Sequence, residues 1–203
     1  MPPYEMKGVN TMFTMTAKLV GVSPLSFSAP VSEKKKGNES HDEHEESTWQ
    51  MRAHVDDNGE LFIPPMALKN MLANVAKHLS EKIPGKRNAT FTKHFLSGLQ
   101  VVDPMRLGIK KEDVEQEKLF VPADGKRGGG TRVWRSFPTV KSWETNCTIF
   151  CLDPEITPTK LEEYLGQAGQ LIGLLRFRPQ NGGYYGRFRV EDVEHEEGIK
   201  TAI

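Results

Sequence analysis

Fifteen consecutive residues, Arg176 to Val190, read RFRPQNGGYYGRFRV and hold four arginines, three glycines, four aromatic residues and no acid. Guanidinium groups neutralise phosphates. Aromatic rings offer faces on which unpaired bases stack, and glycine lets a ligand come close to the backbone. The combination points to single-stranded nucleic acid. Arg176, Arg178 and Arg187 are the candidate phosphate contacts, Tyr184 and Tyr185 the candidate base platforms, and Gly182, Gly183 and Gly186 the candidate glycine-rich loop. The competing reading is a glycine-rich turn before a strand whose Tyr185 and Phe188 enter the core.

A second basic segment runs from Asp124 to Lys141, with Lys126, Arg127, Arg132, Arg135 and Lys141 against the single acid Asp124. Its run Gly128–Gly130 could present backbone N–H groups to phosphate. No Gly-Lys-Ser or Gly-Lys-Thr follows, which argues against binding of a nucleoside triphosphate. A third candidate is Ile63 to Asn70, IPPMALKN, where Lys69 falls in the opening turns of a helix, a fair anion site.

Other clusters point to less. His41-Asp42-Glu43-His44-Glu45-Glu46 has two histidines and four acids, but no third histidine or cysteine at ligand spacing; it reads as a solvated acidic loop rather than a metal site. His54, on the polar face of an expected strand, has no partner acid or nucleophile. Gly-x-Ser-x-Gly, His-Glu-x-x-His and Cys-x-x-Cys are all missing. The sequence therefore assigns no catalytic residue, metal or cofactor. Cys147 and Cys151 share one face of an apparent strand about 13 Å apart at ~3.3 Å per residue, too far for a mutual disulfide. They read as buried thiols.

The chain has 203 residues, 37% of them hydrophobic, enough for one well-buried core or two small ones. No apolar run approaches a membrane span, and the opening residues lack the order of a signal peptide; a cytoplasmic location is expected. Lys and Arg (27) balance Asp and Glu (27), but the charges are segregated. Two basic segments alternate with the acidic stretch Glu39–Glu46 and an acidic C-terminal stretch from Glu191 to Glu197. Such blocks suit a protein that binds a polyanion and also meets a copy of itself.

Periodicity supplies the elements that would position these groups. Met12 to Val22 alternates as a strand. Ser23 to Ser47 has no apolar period and reads as a long loop, mobile over about 28–47. Trp49 to Val55 and Glu60 to Ile63 read as a hairpin closed by Asp57-Asn58-Gly59. Leu68, Leu72, Val75 and Leu79 make the stripe of a first helix that stops at Pro84-Gly85. Short strands are expected at Leu99–Val102 and Leu119–Pro122, a basic loop or hairpin at about 123–140, and a buried strand at Thr145–Leu152. A second helix opens on a capping box of Thr159 and Glu162 and stops near Gly173. A last strand begins at Gly186. Two strand–helix–strand units in one chain predict a ferredoxin-like α+β domain spanning 1–203, with an antiparallel sheet and two main helices.

Two motifs in this order carry a resemblance. Phe62 to Lys77, FIPPMALKNMLANVAK, follows a first strand and a long loop; Asn181 to Phe188, NGGYYGRF, precedes the last strand. Together they resemble the RAMP superfamily of CRISPR systems, above all the backbone subunits of CRISPR effectors. Those have folds similar to RNA-recognition modules and polymerise along a guide RNA. Gly183 to Val190 also loosely resembles the first ribonucleoprotein motif of such modules.

The resemblance implies that Lys69 lies near an RNA path, that Gly182, Gly183 and Gly186 form the glycine-rich loop, and that Lys126 to Arg135 is a protruding hairpin. Pro65 and Met66 stand where the family has Gly-Ser. Some members cleave RNA with an aspartate after the first strand; Asp42 has no matching context. The chain is also similar to small proteins of tailed-phage genomes.

The expected function is a non-enzymatic protein that binds single-stranded RNA or DNA and oligomerises along it, with CRISPR effector subunits as possible partners. The alternatives are a RAMP-type endoribonuclease and a phage protein that interferes with CRISPR assembly through protein contacts.

Overall fold

The alternation of FTMTAKLVG makes Phe13–Gly21 a strand, β1, with Phe13, Met15, Ala17 and Leu19 buried on one side. The computed structural model describes residues 12–125, 128 and 130–198. The stretch read as a loop after β1 contains a two-residue strand, β2 (Leu25–Ser26), and a helix, α1 (His41–Thr48). The helix forms because Ser40 and Glu43 close a capping box: the Ser40 hydroxyl accepts from the Glu43 N–H, and the Glu43 carboxylate accepts from the Ser40 N–H.

The expected hairpin is corrected as well. Trp49–Arg52 is a single 3-10 turn, and only Val55 bridges to Leu61. The turn itself holds, since the Asp56 carboxylate accepts from the N–H groups of Asn58 and Glu60. The strand that follows, β3 (Glu60–Ile63), pairs elsewhere.

Pro65 opens α2 (Pro65–Leu79), whose buried stripe is Leu68, Met71, Leu72, Val75 and Ala76. The helix ends at Ser80, which takes the left-handed conformation (φ 49°) four residues before the expected stop. A short helix, α3 (Thr92–Ser97), which the sequence reading left out, leads into β4 (Leu99–Gln100). Then come β5 (Met105–Lys110), which was not legible and is the true partner of β3, and the ribbon of β6 (Glu115–Pro122) and β7 (Arg132–Val140). The chain closes with β8 (Glu144–Cys151), α4 (Pro158–Leu171) and β9 (Phe188–Glu197). The cap of α4 is Thr157, whose hydroxyl accepts from the Lys160 N–H, rather than Thr159.

The main sheet has the order β4-β8-β1-β9, every pair antiparallel. The opening strands of the two strand–helix–strand units, β1 and β8, lie side by side in the middle; the closing strands, β4 and β9, lie at the edges. This is the ferredoxin-like arrangement, and the expected α+β class holds. The stripes of α2 and α4 join Met15, Leu19, Cys147 and Ile149 in one core. Each large side chain fully buried there contributes about 1.5–3 kcal/mol. Cys147 and Cys151 are buried free thiols. Burial pushes Cys147 up to about 12 and Cys151 up to about 11. No described helix is long and apolar enough to cross a membrane.

A second sheet, β2-β7-β6, stands beside the first. The eight β6–β7 pairs run from Glu115↔Thr139 to Pro122↔Arg132, a ribbon about 26 Å long at ~3.3 Å per residue. α1 and its 3-10 turn brace the base of this ribbon. The Glu45 carboxylate accepts from the Ser136 N–H at 2.9 Å and pairs with Arg52 at 2.8 Å. Gln116 donates to the Glu46 carboxylate.

Candidate nucleic-acid interface

The two basic segments, 35 positions apart in sequence from Lys141 to Arg176, face each other across a cleft of about 710 Å³. One wall is the ribbon end, with Val121, Pro122, Gly125, Gly128 and Arg132; the other is the segment after α4, with Arg176, Phe177, Gln180, Asn181 and Gly182. Its size falls within the range of ligand pockets.

Arg176 is the most constrained group in it. Its guanidinium carbon lies 4.2 Å from the centre of the Phe137 ring and 4.3 Å from that of Phe177. One terminal nitrogen donates to the Ser28 hydroxyl at 2.9 Å, while Nε is buried without a hydrogen-bond partner. Burial, with the charges of Arg52 and Arg135 nearby, pulls its pKa below the usual arginine value; the group stays charged at any working pH. The flanking residues Leu175 and Phe177 both take the left-handed conformation (φ 58° and 53°). Such backbone strain persists only where the surroundings enforce it. Arg178 is half-buried, and its Nε also has no partner.

The remaining sequence-expected residues divide. Arg132 is exposed at the cleft; it donates to the Phe120 carbonyl at 2.6 Å and lies over the Phe120 ring. Arg135 donates to the Ala123 carbonyl at the ribbon end. Arg187 is turned to the end of α4, where its Nε donates to the Gln170 carbonyl at 3.2 Å, away from the residues that line the cleft. Lys126 and Arg127 lie outside the described residues.

Lys69 is tied down by α3. Its ammonium donates to the carbonyls of Phe95 and Leu96, and burial lowers its pKa. It serves the orphan carbonyls of a helix end, a structural task the sequence did not reveal.

Tyr184 is exposed, as a base platform must be, but Tyr185 is not: its ring is 5% accessible. Its hydroxyl donates to the Glu117 carboxylate at 2.5 Å and its ring packs on Phe177, so it anchors the loop to β6 instead of meeting a ligand. Burial and this acid push its pKa far up.

The glycines also serve the chain itself. A Cβ on Gly183 would sit 1.7 Å from the Phe177 carbonyl oxygen, and one on Gly186 (φ +72°) 2.1 Å from that of Leu174. Gly182 (φ +73°) ends the 3-10 turn Pro179–Asn181. The N–H groups of Gly182, Gly183 and Gly186 go to the carbonyls of Pro179, Arg178 and Pro24. The loop is thus folded tightly against Leu174–Arg178, which sets the position of Arg176.

One aromatic pair escaped the sequence reading. Phe120 and Trp134 are cross-strand neighbours on the ribbon, 46% and 54% exposed, with ring centroids 5.2 Å apart. Each looks like an ordinary strand residue alone; only the register puts them together beside Arg132.

The open face of the main sheet is less suited to a polyanion. Thr16, Lys18, Asn146 and Thr148 lie there, with Glu191 and Glu194 of β9 in register. Lys18 is paired with Glu144. The phenylalanines of these strands, Phe13, Phe150 and Phe188, are buried. The likeness of Gly183–Val190 to a ribonucleoprotein motif therefore does not extend to its use, because Phe188 opens an edge strand and points into the core.

Two groups of possible chemical interest are also absorbed. His54 sits between the rings of Phe27 and Phe62, half-buried, and desolvation lowers its pKa. Glu39, Glu43, Glu45 and Glu46 all have intramolecular partners, so the acidic stretch is no free loop. Among the described residues no three His, Cys, Asp or Glu side chains come together as a metal site.

With the fold and cleft defined, the chain belongs to the α+β class, with a ferredoxin-like main sheet. Its fold is similar to that of a chain in the type III-B Cmr-beta complex bound to cognate target RNA (10% identity, 92% of this chain, TM-score 0.52). It spans 61% of the length of that chain. A second similar structure is Cmr6 from Pyrococcus furiosus (15% identity, 88% of this chain and 98% of that one, TM-score 0.46). No family model matches the sequence, and no curated protein matches it. The phage resemblance draws no support from the Cmr-beta chain.

Proposed function

We propose that this protein binds single-stranded RNA without cleaving it, as a subunit of a CRISPR-type ribonucleoprotein. The observation that carries this is the convergence of Arg132 and Arg176, from two distant basic segments, on one cleft. A polyanion compensates this local excess of positive charge, and single strands supply bases for Tyr184 and for the Phe120–Trp134 pair. The chain of similar fold comes from a Cmr-beta complex bound to target RNA, which favours RNA over DNA. Assembly with further copies or with other effector subunits follows from the same reading. The ribbon and the segregated charges are the surfaces that would meet neighbours.

The test is binding of labelled single-stranded RNA over a salt series. Affinity should fall steeply, by a log–log slope of about 0.7 per phosphate contacted. A flat salt response rejects the phosphate reading. Incubating the same RNA with and without EDTA addresses catalysis: intact RNA at saturation is expected, and cleavage products would overturn the non-enzymatic assignment.

A further inference from the structure

The last strand of the main sheet, β9, has β1 as its one partner among the described residues. In an antiparallel ladder the backbone groups of successive residues point alternately to the two sides. The Arg187 carbonyl accepts from the Val22 N–H on the β1 side. The N–H and C=O of Val190, three residues on, therefore point outward, to the free edge. Regular pairing ends after Glu191, where the register shifts and Asp192 takes φ 48°. The open stretch Phe188–Glu191 spans about 13 Å at ~3.3 Å per residue.

A groove of about 530 Å³ lies beside this edge, between it and the outer side of α4. Half-buried Val190 lines it on the strand side, and Glu162, Glu163 and Gln170 line it on the helix side. Gly166 opens a notch between them: a Cβ added there would meet nothing within 4 Å. A free strand edge beside a helix suits an extended peptide that joins the sheet through its main chain.

Charge selects the occupant. β9 carries five acids and one arginine, and that arginine, Arg189, pairs with Glu191 at 2.6 Å. Glu162 and Glu163 add two acids on the helix rim. Nucleic acid is repelled here. So is a second β9, because pairing the two edges would lay five acids along five others. A cationic strand complements these surroundings.

We infer that the groove between α4 and β9 docks an extended segment of another protein, rich in lysine or arginine, as a fifth strand of the main sheet beside Phe188–Glu191. Its alternate side chains fall on the α4 side, by Gly166 and Glu162, and on the open face, by Glu191. The inference does not depend on the RNA reading.

The experiment titrates the full chain with a fluorescent peptide of alternating lysine and valine, read by anisotropy, and follows hydrogen exchange of the Val190 amide by NMR. Expected are saturable binding and at least 10-fold slower exchange of that amide in the complex. Binding should weaken at least 10-fold for a threonine–valine peptide, which lacks the charge. It should weaken as much for the lysine–valine peptide methylated at every backbone nitrogen, which keeps the charge and cannot form the ladder. Gly166→Phe, which fills the notch where a side chain has room, should have the same effect, with a thermal melt to confirm its fold. Absence of binding, equal binding of either control peptide, or binding untouched in folded Gly166→Phe overturns the inference. Dimers of the free chain in sedimentation that Gly166→Phe abolishes would assign the groove to a second copy and overturn it as well.

Discussion

The Arg176 guanidinium carbon stands 4.2 Å from the centre of the Phe137 ring, so a residue just after α4 is seated on the strand that forms one side of the ribbon. The contact joins the two basic segments, and cation–π stacking of this kind holds the charge in place. It also ties the ribbon to the main body, so a change at Arg176 acts on both binding and stability.

Arg132 is the cleaner probe of binding because it is exposed. Arg132→Gln should weaken RNA affinity by about 10- to 100-fold, from the ~1.5–3 kcal/mol of a charged hydrogen bond, and reduce the salt slope by about 0.7. Unfolding midpoints should not move. Filter binding at two salt concentrations, with a denaturant melt as control, checks both halves.

The two adjacent tyrosines should separate in their effects. Tyr184→Ala removes an exposed ring and should cost about 1–3 kcal/mol of single-strand affinity, with little change in stability. Tyr185→Phe removes the hydroxyl that donates to Glu117 and should cost about 1–2 kcal/mol of stability. Equal effects of both on affinity would contradict the burial seen here.

Gly186→Ala should be severely destabilising. It combines a backbone conformation costly for alanine with a Cβ 2.1 Å from the Leu174 carbonyl oxygen. Because the clash is with backbone, relaxation must displace the segment carrying Arg176. Loss of cooperative unfolding, or a stability loss of at least about 2 kcal/mol, is the expected result by calorimetry.

His54 gives a pH signature. Burial lowers its folded pKa below the ordinary 6.5. Between the folded value and 6.5 the unfolded chain therefore binds more protons than the native one. Stability rises with pH through that window and is lost as pH falls below 6.5. Thermal melts from pH 7.5 downward should show this loss, and His54→Phe, matched to its aromatic neighbours, should reduce it. An identical pH profile in the variant would refute the assignment.

Cys147 and Cys151, with thiols pushed up to about 12 and about 11, should resist alkylation at pH 8 in the native protein and react fully only in denaturant. Mass spectrometry after iodoacetamide treatment reads this directly.

Local pattern determined a good part of this molecule. The alternation of Phe13–Gly21, the helical stripe from Leu68 and the order of the two strand–helix–strand units fixed the ferredoxin-like class, because side-chain periodicity decides which face of an element is buried. The clustering of arginines and glycines marked both walls of the cleft.

Tertiary structure decided how those residues are used. The α1 helix depends on acids whose partners, Arg52, Ser136 and Gln116, lie elsewhere in the chain. The strand β3 chose β5 over the nearer Trp49–Val55. Lys69 found the end of α3, Tyr185 found Glu117, and Phe120 met Trp134 only through strand register. Each is a long-range pairing, set by which groups must be satisfied once they are buried, and residue types along a chain do not record such partners.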